Sequence, residues 1–316
     1  MNIVMIEGLG VDESALRPHI ERLEAMGHAF VSYAGDRDPD VQASRLQDAD
    51  IVIVTNMPLS EKAVRQAKKL KFIDVAFTGV DHIPMAAAKE LGITVSNASG
   101  YATDAVAELA LSQMIRLLRR VDECESSLRR GGTKAGLGGH LLRGRTVGIV
   151  GAGAIGKQVA RLCSAFGSDV IAHSRSPVDC PFIRAQVSLE ELLQKSDIVS
   201  LHCPLNDSTR GLIGEKELRL MKKTAYLVNT ARGGVVNSAA LAAALRDGTV
   251  AGAAIDVFDV EPPLDPSDPL LTAPHLLATP HIGFFSAESM LDRAKIVFDN
   301  LYAWLEGRPV NVVSGK

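Results

Sequence analysis

Arg145-Thr-Val-Gly-Ile-Val-Gly-Ala-Gly-Ala-Ile-Gly156 passes from an apolar, β-branched run into a glycine-spaced turn, and a helical stretch over 157–166 follows. The order strand, Gly151-x-Gly153-x-x-Gly156, helix has a physical logic. Gly151 permits a tight turn. Gly153 lets the backbone approach a pyrophosphate seated on the N–H groups of the helix start, with Ala154 and Ile155 completing the turn. Gly156 lets the helix pack closely on the strand. The spacing predicts a dinucleotide site at the head of a βαβ unit, and so a parallel sheet.

The next strand end bears on which dinucleotide. An Asp or Glu about 20 residues on binds the ribose 2′-OH in NAD-preferring folds. Val170-Ile-Ala-His-Ser-Arg-Ser176 holds no acid; Ser174 stands at the expected position and Arg175 follows it. A hydroxyl and a guanidinium bind a 2′-phosphate, which a carboxylate repels. NADP is therefore the expected preference, with NAD as the alternative if Arg175 is a solvated residue after a strand. His173 would add a cationic contact only when protonated.

Outward from this turn the chain alternates. Residues 2–6, 28–33, 51–55, 72–76 and 93–96 read as strands, and 13–26, 60–69 and 85–91 as helices. A long helical run over 103–121 and a polar, Gly-rich segment over 129–139 interrupt the rhythm. A second βα series then has strands at 146–150, 169–173, 198–201, 225–229 and 251–255, and a helix over 286–305 closes the chain. Such alternation implies an α/β fold with parallel sheets covered on both faces. Two Rossmann-like doubly wound domains are expected. One is discontinuous, 1–100 with 286–316, and is the candidate substrate domain; the other, 101–285, is the candidate dinucleotide domain.

Composition narrows the function classes. Thirty-four Lys and Arg against 37 Asp and Glu leave a net charge of −3, which argues against electrostatic nucleic-acid binding. Hydrophobic residues make up 47% and charged residues 22%, which are globular proportions. The four cysteines, Cys124, Cys163, Cys180 and Cys203, form no C-x-x-C pair, so buried thiols in a reducing compartment are expected, with no metal site. No signal peptide or membrane span is evident, and a soluble cytoplasmic protein is expected.

Three later segments carry candidate chemistry: Leu227-Val-Asn-Thr-Ala-Arg-Gly-Gly-Val-Val-Asn237, Ala254-Ile-Asp-Val-Phe-Asp-Val-Glu-Pro-Pro263 and Ala278-Thr-Pro-His-Ile-Gly-Phe-Phe285. Each starts as a strand and delivers polar residues at its C-terminal end, the edge where open α/β sheets bind ligands.

In this order, after the G-x-G-x-x-G turn, these motifs resemble those of the D-isomer-specific 2-hydroxyacid dehydrogenases, a likeness that runs from Thr78-Gly-Val-Asp-His82 to the final helix. The resemblance implies a nicotinamide-dependent oxidoreductase acting on a small 2-oxo acid or D-2-hydroxy acid. It makes Arg232, Glu261 and His281 the catalytic trio. It places Asp256 at the nicotinamide carboxamide, Asn229, Thr230 and Ala231 along the nicotinamide, His202, Cys203 and Pro204 near the adenosine, and Thr78 and Gly79 at the substrate carboxylate beside Arg232 and His281. The chemistry agrees. Reducing a 2-oxo acid needs an acid for the carbonyl oxygen, which histidine supplies near neutral pH. A carboxylate orients and charges the imidazole, and an arginine pairs with the substrate carboxylate.

Alternative readings are a dinucleotide-sensing corepressor-like protein and a phosphite- or formate-oxidising relative. Asp256 also reads as a turn-capping residue, and Cys203 as a wall residue rather than a nucleophile. Met57, Leu59, Tyr101, Phe284 and Phe285 suggest an apolar substrate pocket that takes side chains larger than hydrogen. The chain departs from the family in several places. Asn237 replaces an Asp and suggests a lost cap or charge, Ser99-Gly100 replaces Pro-Gly, and Asn56 stands where phosphoglycerate enzymes tend to have an arginine. A homodimer is expected through 103–121 and the Gly-rich segment.

Overall fold

A computed structural model of the chain describes residues 1–260 and 263–313. The first series of elements is β1 (Asn2–Met5), α1 (Glu13–Ala25), β2 (Ala29–Ser32), α2 (Pro39–Leu46), β3 (Ile51–Val54), α3 (Glu61–Gln66), β4 (Phe72–Val75), α4 (Met85–Glu90) and β5 (Thr94–Asn97). Next come α5 (Thr103–Arg119), α6 (Val121–Arg129), β6 (Thr146–Val150), α7 (Ala154–Ala165), β7 (Asp169–His173), β8 (Ala185–Gln186), α8 (Leu189–Lys195) and β9 (Ile198–Leu201). The chain continues through α9 (Glu215–Leu220), β10 (Tyr226–Asn229), α10 (Ser238–Arg246), β11 (Gly252–Ile255), β12 (Leu276–Ala278) and α11 (Ala287–Leu305).

These elements form two units, Met1–Ala102 with Phe285–Lys316, and Thr103–Phe284. The first unit holds a five-stranded sheet in the order β2-β1-β3-β4-β5, every neighbouring pair parallel. Its central strands Ile-Val-Ile-Val and Phe-Ile-Asp-Val are buried at every position, as befits strands covered on both faces. The last helix, α11, buries Val297, Phe298 and Leu301, and its Trp304 stacks on Phe72 of β4 at 5.1 Å between ring centres.

The second unit holds a seven-stranded parallel sheet in the order β12-β11-β10-β9-β6-β7-β8. Strand order reverses beside β6, with β7 on one side and β9 on the other, and such a switch point opens a crevice at the carboxyl ends. Register matters more than order here. His173, Val150, Leu201, Asn229, Ile255 and Ala278 are successive cross-strand partners in one row. The next residue on each chain is Ser174, Gly151, His202, Thr230, Asp256 and Thr279. The fold class is α/β with two Rossmann-like parallel sheets.

Several local expectations need correction. Helix α2 was not expected; its eight residues bury only Gln42, Ala43 and Leu46, so no long apolar stripe announces it. Its start is nonetheless well marked, since the Asp38 carboxylate accepts from the N–H groups of Asp40 and Val41 with Pro39 in the first turn. The run at 103–121 stops at Arg119, because Arg120 adopts a left-handed φ of 51°, and α6 follows as a separate helix. No residue of α6 is buried. Strand β8 is two residues long, below what alternation can reveal. Asn237 retains its cap, accepting the Ala240 N–H at 2.9 Å. Cys163 and Cys203 are buried, whereas Cys124 and Cys180 are half-buried.

Candidate active site

At the head of β6, Gly151 sits at φ 96°, and a Cβ there would lie 2.6 Å from the Cys203 nitrogen; at Gly156 it would lie 2.1 Å from the Gly151 carbonyl oxygen. Both glycines are forced by backbone approach. Gly153 is the N-cap of α7, and a Cβ on it would meet no protein atom within 4 Å. Ala154 and Ile155 form the first turn of α7. A helix start whose flanking backbone is open on this side fits a pyrophosphate, so the residues present suit a dinucleotide.

Ser174 is half-buried and Arg175 exposed, just past β7. Gln186 of β8 braces this turn, donating to the Ser174 and Ser176 carbonyls and accepting from the Val178 N–H. His173 is less available than its position suggested: its Nδ1 lies 3.1 Å from the Val187 carbonyl, to which it donates, so only Nε2 remains to meet a phosphate.

Across the switch point, His202 donates its backbone N–H to Val150 and shares a hydrogen bond of 2.8 Å between Nε2 and the Ser200 hydroxyl. Burial pushes its imidazole down to about 3, which keeps the ring neutral. Its Nδ1 and the Thr230 Oγ1 are buried without a protein hydrogen-bond partner, and such groups suit a bound polar ligand. Pro204 beside them is exposed. Burial raises the Cys203 thiol, in keeping with a wall residue and not a nucleophile.

The turn after β10 is latched by Asn229. Its side chain donates to the Arg232 carbonyl at 2.9 Å and accepts from the Ala231 N–H at 3.0 Å. Arg232 is half-buried and donates from Nη1 to the Ala231 carbonyl at 2.8 Å. On the next strand Asp256 is 1% exposed. Its carboxylate accepts from the Thr279 hydroxyl at 2.5 Å and from the N–H groups of Ile282 and Gly283 at 2.9 and 2.8 Å. Burial raises its pKa, opposed by these three donors and by His281. These contacts cap the turn that carries His281. His281 follows β12, with Phe284 edge-on against its ring at 5.2 Å between centres. The structure thus brings Arg232, Asp256 and His281 to the ends of three adjacent strands. Glu261 lies outside the described residues.

In the first unit, Thr78 and Gly79 follow β4, and the Thr78 carbonyl accepts from the Asn97 amide at 2.7 Å. Asn97 is in turn held by Asn300 of α11, which donates to the Asn97 carbonyl and to the buried Asp74 carboxyl. Met57, Leu59 and Tyr101 are buried, and Phe285 is exposed. The Glu7 carboxylate accepts the N–H groups of Thr55, Asn56 and Met57 at 3.0, 2.8 and 2.9 Å, fixing the turn after β3. Asn97, Gln186, Thr279 and Glu7 were not singled out from the sequence, because their partners lie elsewhere in the chain, 19 residues away for Asn97, 50 for Glu7 and as many as 166 for Thr279.

The family profile described as D-isomer specific 2-hydroxyacid dehydrogenase, NAD binding domain, matches residues 111–283, within the second unit. The chain belongs to the D-isomer specific 2-hydroxyacid dehydrogenase family. Among members of that family it is 39% identical over 295 residues to the glycerate dehydrogenase of Methylorubrum extorquens, covering 90% of this chain and 92% of that one. It is 42% identical over 261 residues to the glyoxylate reductase of Aeropyrum pernix, covering 79% and 78%. The solved glyoxylate reductase of Paecilomyes thermophila superposes with a TM-score of 0.90 at 31% identity, over 99% of this chain and 98% of that one. As a family member the chain is an NAD(P)-dependent oxidoreductase interconverting 2-oxo acids and 2-hydroxy acids. No helix among the described residues is long and apolar enough to cross a membrane, and no group of three or more His, Cys, Asp or Glu among them could hold a metal.

Proposed function

We propose that the protein reduces small 2-oxo acids of the glyoxylate and hydroxypyruvate type to the corresponding 2-hydroxy acids, with Arg232, Glu261 and His281 as its catalytic residues. One observation carries the reading. The row of strand ends puts Gly151, His202, Thr230, Asp256 and Thr279 side by side, so the dinucleotide turn shares an edge with the turns bearing Arg232 and His281. In this reading the second unit holds the dinucleotide.

A nicotinamide held by the second unit would supply the hydride for the carbonyl carbon. Protonated His281 donates its proton to the carbonyl oxygen, giving the hydroxyl and leaving neutral imidazole. Glu261 is, in this reading, the carboxylate partner of that imidazole. Arg232 pairs with the substrate carboxylate, its backbone held by the Asn229 latch, and polarises the carbonyl. His202 stays neutral, so it adds no charge beside the adenosine.

NADP preference is supported by Ser174 and Arg175 in place of an acid. A homodimer is supported by α6 and the segment after it, where Val121, Leu128 and Leu141 are 42%, 71% and 62% exposed. Apolar groups left bare at this level suit burial against a second copy. The four free cysteines suit the reducing cytoplasm. The test is NAD(P)H oxidation with glyoxylate, hydroxypyruvate and pyruvate. Glyoxylate and hydroxypyruvate should have the higher kcat/KM; tight NAD(P)H binding with no turnover of any 2-oxo acid would overturn the reading.

A further inference from the structure

We propose that Gln113 is a positioning residue for the reaction, holding the His281 turn in place through Thr279 and Asp256. The proposal rests on the reading of His281 as the proton donor. Gln113 lies on α5 and is fully buried, on a helix face otherwise made of Val106, Ala107, Ala110, Met114 and Leu118. A methionine or leucine would fill such a place without bringing an amide out of water. What the amide does there is donate from Nε2 to the Thr279 hydroxyl at 3.2 Å. The Gln113 Oε1 is buried without a hydrogen-bond partner, so this one contact is what the side chain's polarity achieves.

Directionality follows from the proton count. The Thr279 hydroxyl has one proton and gives it to the Asp256 carboxylate at 2.5 Å. Its lone pairs are then left to accept, and Gln113 must present N–H and not C=O. The Asp256 carboxylate, supplied with this donor, in turn accepts from Ile282 and Gly283, the two residues after His281. The chain of hydrogen bonds therefore runs from a core helix to the backbone that carries the acid. Hydrogen bonds in such a chain reinforce one another in a buried setting. A proton donor misplaced by a fraction of an ångström loses rate and not affinity.

The experiment compares Gln113→Met, Thr279→Val and Thr279→Ser in the full-length enzyme, with His281→Ala as a control. Steady-state kinetics and the solvent deuterium isotope effect on kcat are measured for 2-oxo acid reduction. Gln113→Met and Thr279→Val should each lower kcat by about tenfold while leaving KM for NAD(P)H within about twofold, and the double variant should fall no further than the worse single one. The isotope effect should rise in both, because proton donation becomes more limiting, and Thr279→Ser should restore it. Wild-type kcat and isotope effect in Thr279→Val would overturn the proposal, even if Gln113→Met failed to fold. So would equal losses in Thr279→Val and Thr279→Ser. An active His281→Ala enzyme would instead overturn the reading of His281 itself.

Discussion

Asp256 grips the backbone around His281 with both of its functional groups: its carbonyl accepts the His281 N–H at 2.8 Å, while its carboxylate accepts the two N–H groups that follow. His281 needs that grip, because it sits at φ 56°. For a residue with a Cβ the left-handed region costs about 1–2 kcal/mol, which hydrogen bonds to a charged acceptor, at about 1.5–3 kcal/mol each, offset. The candidate acid is therefore held in a conformation its own sequence disfavours.

Gly283→Ala tests that arrangement directly. A Cβ there would stand 2.9 Å from Asp256 Oδ2, inside contact distance and against a carboxylate that cannot retreat. The turn should shift, costing about 1–3 kcal/mol of stability and lowering kcat more than the KM for NAD(P)H. Thermal melts together with kinetics check both parts; a variant with wild-type melting and turnover would show that the turn is not so constrained.

Arg232→Ala should remove most activity and leave dinucleotide affinity nearly intact. Losing a charge-assisted partner for the substrate carboxylate costs about 3–5 kcal/mol, so kcat/KM should fall at least about a hundredfold. Fluorescence titration with NADPH alongside kinetics separates the two effects. Near-normal turnover would remove Arg232 from the site.

Cofactor choice can be read at Arg175. Arg175→Ala should weaken NADPH and leave NADH little changed, with the wild type preferring NADPH by about tenfold, or 1.4 kcal/mol. Ser174→Asp should reverse the order, since a carboxylate binds the 2′-OH and repels the phosphate. Equal losses for both cofactors in Arg175→Ala would mean that the guanidinium stacks on adenine instead.

Asp74 links the first unit's stability to pH. It is 0% exposed within β4, and burial pushes its pKa well above the usual carboxylate range. The folded state therefore keeps its proton where the unfolded chain, at about 3.9, has lost it. Stability falls by about 1.4 kcal/mol per pH unit as pH rises from that value towards the folded pKa, and then levels off. Asp74→Asn mimics the protonated group and keeps an oxygen for Asn300. It should raise Tm at pH 7–8 and lose this advantage below about pH 4; an equal gain at both pH values would refute the linkage.

The cofactor turn was legible because its logic is local: three glycines, a strand and a helix within about 30 residues. The ends of β10, β11 and β12 were legible for a similar reason, since each carries its polar residues in one contiguous motif. What holds them was not. Gln113 and Thr279 are 166 residues apart, and a glutamine among Leu and Ala on a helix gives no hint of which face it occupies. Asn97 reaches Thr78 only because β4 and β5 pair. The α5–α6 break depends on one arginine adopting a conformation rare for its type, and sequence patterning has no signal for that. His173 read as a phosphate contact with both ring nitrogens available until its partner carbonyl at Val187, beyond β8, came into view.

Glu7 has a wider meaning. Both sheets follow one plan, with strand order reversing beside the first strand of each, so each architecture provides a crevice of backbone donors at its carboxyl edge. In the second unit the turn after the first strand is built on Gly151 and Gly153. In the first, the donors of Thr55, Asn56 and Met57 are already committed to a carboxylate belonging to the chain. A nucleotide phosphate arriving there would find those donors occupied and a like charge in its path. The protein repeats a nucleotide-binding architecture without repeating the binding, and a side chain six residues from its first methionine acts as the permanent tenant of the second crevice.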